Sequence, residues 1–379
     1  MPGKAAGKGG RTVKARADRA DRMGRLKSAL ERGSSGAIPP LVSVVLAGVV
    51  SSIVILALGE NPFHIASVML RGCLGSARSI ANTLEESTPL VFTGLSVAVG
   101  MRCGLFNIGG EGQLVLGAFA SAWVGAKLVG ADPVSHIALC FIAAGAVGAM
   151  WALVAGGLKA RFGAHEVITT IMLNYIAFAL ANYLVGIPYF KQPGQIPQTK
   201  EILASAVLPR LTMVYQYTRL NLGFAVAIAA VLLAYVMLER TKAGFEIKAV
   251  GLNPMASRSC GISVTRSVVL AMGASGLLAG MAGAERVLGV HGHFISPFPY
   301  GYGFAGIAVA LLGRNQPLGV LAAALFFGAL ASGGAQVDME TRVPRELVTV
   351  IQATVIIFVA CEYLVRRLRP AAREVVADE

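Results

Sequence analysis

A chain of 379 residues that is 55% hydrophobic and 14% charged, with a mean hydropathy of +0.67, cannot cover itself with a soluble surface and reads as an integral membrane protein. Its net charge of +13 does not imply nucleic acid, because the excess lies in a basic tail and short loops, as orientation in a membrane requires. Five scattered cysteines, with no CxxC and no zinc spacing, exclude a disulfide scaffold and a metal module.

Residues 1–37 hold ten Lys/Arg and three Asp/Glu with no apolar periodicity, which predicts a disordered cytoplasmic tail touching anionic lipid head groups. The charge-free run at 38–59 is long enough to span a hydrocarbon core of about 30 Å and too long for the core of a signal peptide, so it should remain in the membrane. Similar runs recur at 88–104, 113–130, 135–158, 167–187, 220–238, 267–288, about 296–313, 316–335 and 345–365. The prediction is an all-α polytopic protein of about ten transmembrane helices. With the amino terminus inside, alternate loops place 23 Lys/Arg on the inner side and 10 on the outer, so both termini are expected in the cytoplasm. The transmembrane domain then covers 38–366, and a cytoplasmic tail covers 367–379.

Two places depart from plain helix. The eighth run, LGVHGHFISPFPYGYG before Phe304, is uncharged but broken by Gly and Pro. Only Phe304–Gly313 reads as clean helix, roughly 15 Å of rise, so a broken or re-entrant helix is expected. Gly104-Leu-Phe-Asn-Ile-Gly-Gly-Glu-Gly-Gln113 sets four glycines and an acid between two apolar helices. Gly94–Arg102 and Gly306–Arg314 also echo one another, sharing Gly, Val, Ala and Arg at an offset of 212.

No G-x-x-x-x-G-K-[ST] occurs, so the chain carries no phosphate-binding loop and is not itself an ATPase. Gly301-x-Gly303-x-x-Gly306 follows a Pro-rich loop instead of a strand, which argues against a dinucleotide site. Gly276-x-x-x-Gly280 offers a small-residue face for close helix packing. The longest inner connection, Thr241 to Ser263, mixes charges with a helix-like stretch and Asn-Pro punctuation, and suits either a docking surface or an ordinary solvated loop.

Gly244, Lys248-Ala-Val-Gly251, Asn253 followed by Pro254, Ala256 and Gly261-Ile262 resemble the coupling loop of ABC importer permeases of the ribose and branched-chain amino-acid class, which commonly reads G…RAVG-x-N-x-x-A-A…GI. This chain departs from it at Lys248 and Ser257. Gly104–Gln113, His165-Glu-Val-Ile-Thr-Thr-Ile-Met-Leu-Asn-Tyr-Ile176 and Gly301–Pro317 narrow the resemblance, over about 38–366, to permeases that work with basic-membrane-protein-type lipoproteins and import nucleosides. The resemblance implies a second permease subunit forming a heterodimeric pore, a cytoplasmic ATP-binding subunit carrying ATP and Mg, an extracytoplasmic lipoprotein receptor, and a place in the cell membrane. No cofactor on this chain is implied.

A nucleoside is neutral and rich in hydroxyls and ring acceptors, so its path should offer amides and stacking surfaces. Asn107, Gln113, Asn174 and Tyr175 are of that type. Asn174 suits a pathway or a bond to a neighbouring helix, and Glu111 suits a substrate-pathway or proton site or a helix-capping carboxylate. Gly251 is expected to let the coupling loop approach its partner closely. Rival readings are a sugar permease, or a secondary transporter coupled through Glu111 or Glu285.

Overall fold

The computed structural model describes residues 44–211, 218–299, 301–341, 343 and 346–368. The expected basic tail at 1–37 and the last residues of the carboxy-terminal tail lie outside them. The described residues form α1 (Val44–Ala57), α2 (Pro62–Leu74), α3 (Ala77–Arg102), α4 (Gly110–Lys127), α5 (Pro133–Phe162), α6 (Glu166–Gly186) and α7 (Gly223–Arg240). These are followed by α8 (Lys242–Leu252), α9 (Pro254–Ser259), α10 (Val264–Glu285) with a π-helical extension Arg286–His291, α11 (Tyr302–Leu312), α12 (Pro317–Glu340) and α13 (Glu346–Leu368).

The helix boundaries follow local chemistry. Ser76 accepts from the Ser79 amide at 3.1 Å to open α3, and Asp132 followed by Pro133 opens α5, each supplying an acceptor to amides that the first turn leaves free. Gly163 closes α5 with φ of 69°, a conformation that glycine adopts without steric cost.

Five helices, α5, α6, α7, α10 with its extension, and α12, are each long and apolar enough to cross a membrane. Helices α1 and α2 qualify together, bent by 117° at the break between them. The expected ten crossings are therefore not all reached by length and composition. Helix α3 carries Glu85 and Glu86, α4 carries Glu111 and Gln113, and α11 has only 11 residues. The eighth run is not one continuous helix: residues 292–299 and 301 lie outside any helix and precede the short α11.

Small residues hold the centre together. Gly148 of α5 and Gly117 of α4 meet Gly280 of α10, where added Cβ atoms would lie 2.9 and 2.6 Å from its Cα. The Gly276-x-x-x-Gly280 face therefore packs as its spacing indicates. The two echoed segments lie side by side: a Cβ at Gly94 would meet Val309 at 2.7 Å, and one at Gly306 would meet Thr93 at 2.6 Å. They run in the same direction, since Arg102 at the end of the first donates its Nε–H to the Asn315 carbonyl just beyond the second at 2.8 Å.

Helix α3, 26 residues or roughly 39 Å long, spans the bundle. At its carboxy-terminal end it meets Glu239, Asn315 and α8. At its start, with α2, Arg219 and the end of α12, it lines a cavity.

Candidate functional site

Three places carry the polar residues. The first is a buried knot around the turn between α3 and α4. Gly104 takes φ of 76°, turning the chain back so that Asn107 enters the bundle. Its Nδ2 donates to Ser275 Oγ at 2.8 Å and to Gln113 Oε1 at 3.0 Å, while its Oδ1 accepts from the Gly109 amide at 2.9 Å. Asn174 of α6 closes the other side, donating to the Ile108 carbonyl at 3.0 Å and accepting from the Gly112 amide at 2.9 Å.

Glu111, fully buried, accepts from the amides of Gly301, Gly303 and Phe304 at 2.9, 2.6 and 3.3 Å. The carboxylate thus closes the amino terminus of the broken helix α11 from the first turn of α4, where both helix dipoles favour an anion. The structure brings Asn107, Glu111, Gln113 and Asn174 together, with these polar atoms bonded to protein. It does not bring Tyr175 to them. That ring sits exposed on the other face of α6, edge-on to Phe178 at 6.5 Å.

The second place is α8–α9. Thr241 caps α8 by accepting from the Gly244 amide at 3.1 Å, and a Cβ at Gly244 would lie 2.6 Å from Leu238 of α7. Gly251 is helical. A Cβ there would collide with the Arg102 carbonyl oxygen and lie 3.0 Å from the Arg102 and Cys103 carbonyl carbons. The close approach expected toward a partner is therefore made within the chain, against the end of α3. Gly104 faces the same spot, 3.4 Å from Gly251 Cα to a Cβ built on it.

Lys248 pairs with Glu239 at 2.7 Å, and Glu239 also faces Arg102 at 3.8 Å. Asn253 accepts from the Met255 and Ala256 amides with Pro254 at the first helical position, so the Asn-Pro pair starts α9. Gly261 ends it with φ of 79°. What this surface presents outward was missed from sequence: Phe245, Leu252 and Met255 are 64%, 87% and 75% exposed. Their signal was apolar residues in a charged loop.

The third place is the opposite end of α3, where sequence reasoning named nothing on α3 itself. A cavity of about 650 Å3 is lined by Asn82, Glu85 and Glu86 of α3, Arg219, and Ser332 and Gln336 of α12, with others. Beneath it Arg286 is buried at the end of α10. It lies 3.6 Å from Glu85, 3.2 Å from Glu285 and 4.9 Å from the Tyr302 ring centroid. Asn221 donates to Glu285 at 3.2 Å.

Residues 79–360 match the family described as the branched-chain amino acid transport system / permease component. The chain belongs to that family. It is therefore an integral membrane protein, the permease component of an ABC transporter, and ATP hydrolysis belongs to a separate subunit. Over 331 residues it is 38% identical to the guanosine ABC transporter permease protein NupP of Bacillus subtilis (strain 168), covering 86% of this chain and 94% of that protein. It is 37% identical over 346 residues to the nucleoside ABC transporter permease protein NupB of Lactococcus lactis subsp. cremoris (strain MG1363), covering 90% and 95%. It is also 35% identical over 337 residues to the glucose ABC transporter permease protein TsgB13 of Haloferax volcanii, covering 87% and 88%. In this permease, unlike an ion-coupled carrier, Glu111 and Glu285 need no role in coupling to an ion gradient.

Proposed function

We propose that this permease imports nucleosides as one half of a heterodimeric pore, with ten crossings and both termini in the cytoplasm. The observation that carries the reading is the placement of a polar cavity and an exposed apolar docking face at opposite ends of one helix, α3. A volume of about 650 Å3 falls within the about 300–1,000 Å3 of small-molecule sites. The similarity to NupP and NupB supports nucleosides as the cargo, delivered at the outer end by a lipoprotein receptor.

At the inner end α8–α9 docks on the ATP-binding subunit, which holds ATP and Mg. Closure of the ATPase pushes α8, and the Gly251–Arg102 contact passes that movement to α3. The knot of Asn107, Gln113 and Asn174, with Glu111 of α4 capping α11, then carries α4, α6 and α11 along as a packed body, giving alternating access. These four residues act as the frame of the pathway in this reading. The similarity to TsgB13 favours a sugar as the second reading. Uptake of labelled guanosine and glucose by cells bearing the whole importer, with the ATPase active or inactivated, tests both; ATPase-dependent glucose uptake without guanosine uptake rejects the nucleoside reading.

A further inference from the structure

We propose that the cavity at the outer end of α3 reads the ribose of the cargo, with Glu86 and Asn82 holding its vicinal 2′ and 3′ hydroxyls. This rests on the nucleoside reading above and adds which part of the molecule the permease recognises.

Asn82 and Glu86 stand one helical turn apart and so share a face of α3. Both are half-buried cavity-lining residues, while Ala81, Thr83, Glu85 and Ser87 beside them are buried. Of the two acids, Glu85 is committed to Arg286 at 3.6 Å. Glu86 is held differently: its Oε2 accepts from the Tyr302 hydroxyl at 3.2 Å, which fixes the carboxylate and leaves Oε1 outside that bond. An ionised carboxylate only accepts hydrogen bonds, and hydroxyls are the donors that a ribose offers. Acidic residues hold the ribose of dinucleotides in the same way.

The neighbouring amide supplies both a donor and an acceptor, which suits the second hydroxyl of a diol. Across the cavity α12 offers Ser332 and Gln336. Among the described residues no aromatic ring lines this space, and its cations are Arg71, Arg78 and Arg219, so it holds polar partners for hydroxyls and no aromatic platform for a base. The permease then selects by sugar, and nucleosides that differ only in base pass alike.

The test compares uptake of guanosine with that of 2′-deoxyguanosine and 2′,3′-dideoxyguanosine by the complete importer, with the receptor unchanged, in wild type, Glu86→Gln and Asn82→Ala. Wild type should prefer the ribonucleoside; in variants delivered to the membrane, Glu86→Gln should shrink that preference by about tenfold, the worth of a hydrogen bond to a charged group, and Asn82→Ala by about fivefold, that of a neutral one. Adenosine and guanosine should be affected alike. A wild-type ratio near one, or a ratio unchanged in both variants, overturns the proposal. Should Glu86→Gln fail to reach the membrane, the ratio in Asn82→Ala decides by itself. A wild type that moves no nucleoside at all rejects the transport reading, a separate outcome.

Discussion

The guanidinium of Arg286 repairs a gap that Pro89 opens in α3. Proline has no amide hydrogen, so the carbonyl four residues back, that of Glu85, loses its helical partner; Arg286 Nη2 donates to it at 3.0 Å. The same side chain faces the Glu85 and Glu285 carboxylates, so one cation serves a carbonyl and two anions in a buried place. Arg286→Met should lower stability by about 3–5 kcal/mol, the cost of leaving buried charge unpaired. Adding Glu85→Gln and Glu285→Gln should recover much of it, and in a Pro89→Ala background the loss should shrink by about 1 kcal/mol. Melting of the detergent-purified protein measures all of these, and strict additivity of the Pro89 and Arg286 effects would reject the carbonyl role.

Glu111 bonds three backbone amides of α11 and no side chain that a proton gradient would drive. Glu111→Ala should therefore cost about 1.5–3 kcal/mol, while Glu111→Gln, which keeps one acceptor oxygen, should cost less. Both should leave uptake insensitive to collapse of the proton gradient while ATP is maintained. Wild-type uptake that falls on collapse of the gradient with ATP maintained, and no longer responds to it in Glu111→Gln, contradicts the capping role.

Much of this architecture is legible in the sequence because several of the long helices are long uncharged runs. The expected 113–130, 135–158 and 167–187 fall on α4, α5 and α6 within a few residues. The start of α3 was not legible, since Glu85 and Glu86 interrupt the apolar run, and it is there that the cavity lies. Helix α2 was hidden in the same way by Arg71. Asn174 and Tyr175 are neighbours in sequence but about 100° apart around a helix. In a helix apolar nearly all round, no periodicity says which of the two turns inward. The partner of Asn174 lies 62 residues away at Gly112, a pairing that only tertiary structure supplies.

Two glycines of the α8–α9 region separate space from backbone conformation. Gly251 has no room for a Cβ because Arg102 is against it, whereas Gly261 has open space but φ of 79°. Gly251→Val should push α8 off α3, lowering the melting temperature and cutting uptake at least about tenfold, a loss of some 1.4 kcal/mol in coupling. Gly261→Ala should cost about 1–2 kcal/mol through strain alone. If Gly251→Val melts and transports like wild type, the α8–α3 contact carries no coupling.

The proposed orientation places residue 195, in the loop after α6, outside, and residue 259, at the end of α9, inside. Both positions are exposed in the fold, so reagent access reports the side of the membrane and not burial. In a cysteine-free background, necessary because Cys260 is itself exposed, Gln195→Cys should label with an impermeant thiol reagent on intact cells. Ser259→Cys should label only after permeabilisation. Labelling of the second site from outside reverses the assigned topology.

The docking face itself is best tested where nothing inside the chain depends on the side chain. Gly244, Gly251, Asn253 and Pro254 all serve the internal fold of α8–α9, so their substitution confounds docking with folding. Leu252 and Met255, at 87% and 75% exposure, touch little in this chain, and open apolar groups beside charged residues are what the proposed docking face would present. Fully burying such a side chain contributes about 1.5–3 kcal/mol, and a carboxylate in its place would be desolvated without a partner. Leu252→Asp and Met255→Asp should therefore reach the membrane in normal amounts and melt within about 0.5 kcal/mol of wild type. They should lose the ATPase during detergent purification, and uptake should fall in step with that loss. Retention of the ATPase by both variants would move the docking site off this face, and Phe245→Asp, 64% exposed on α8, would then show whether α8 contributes at all.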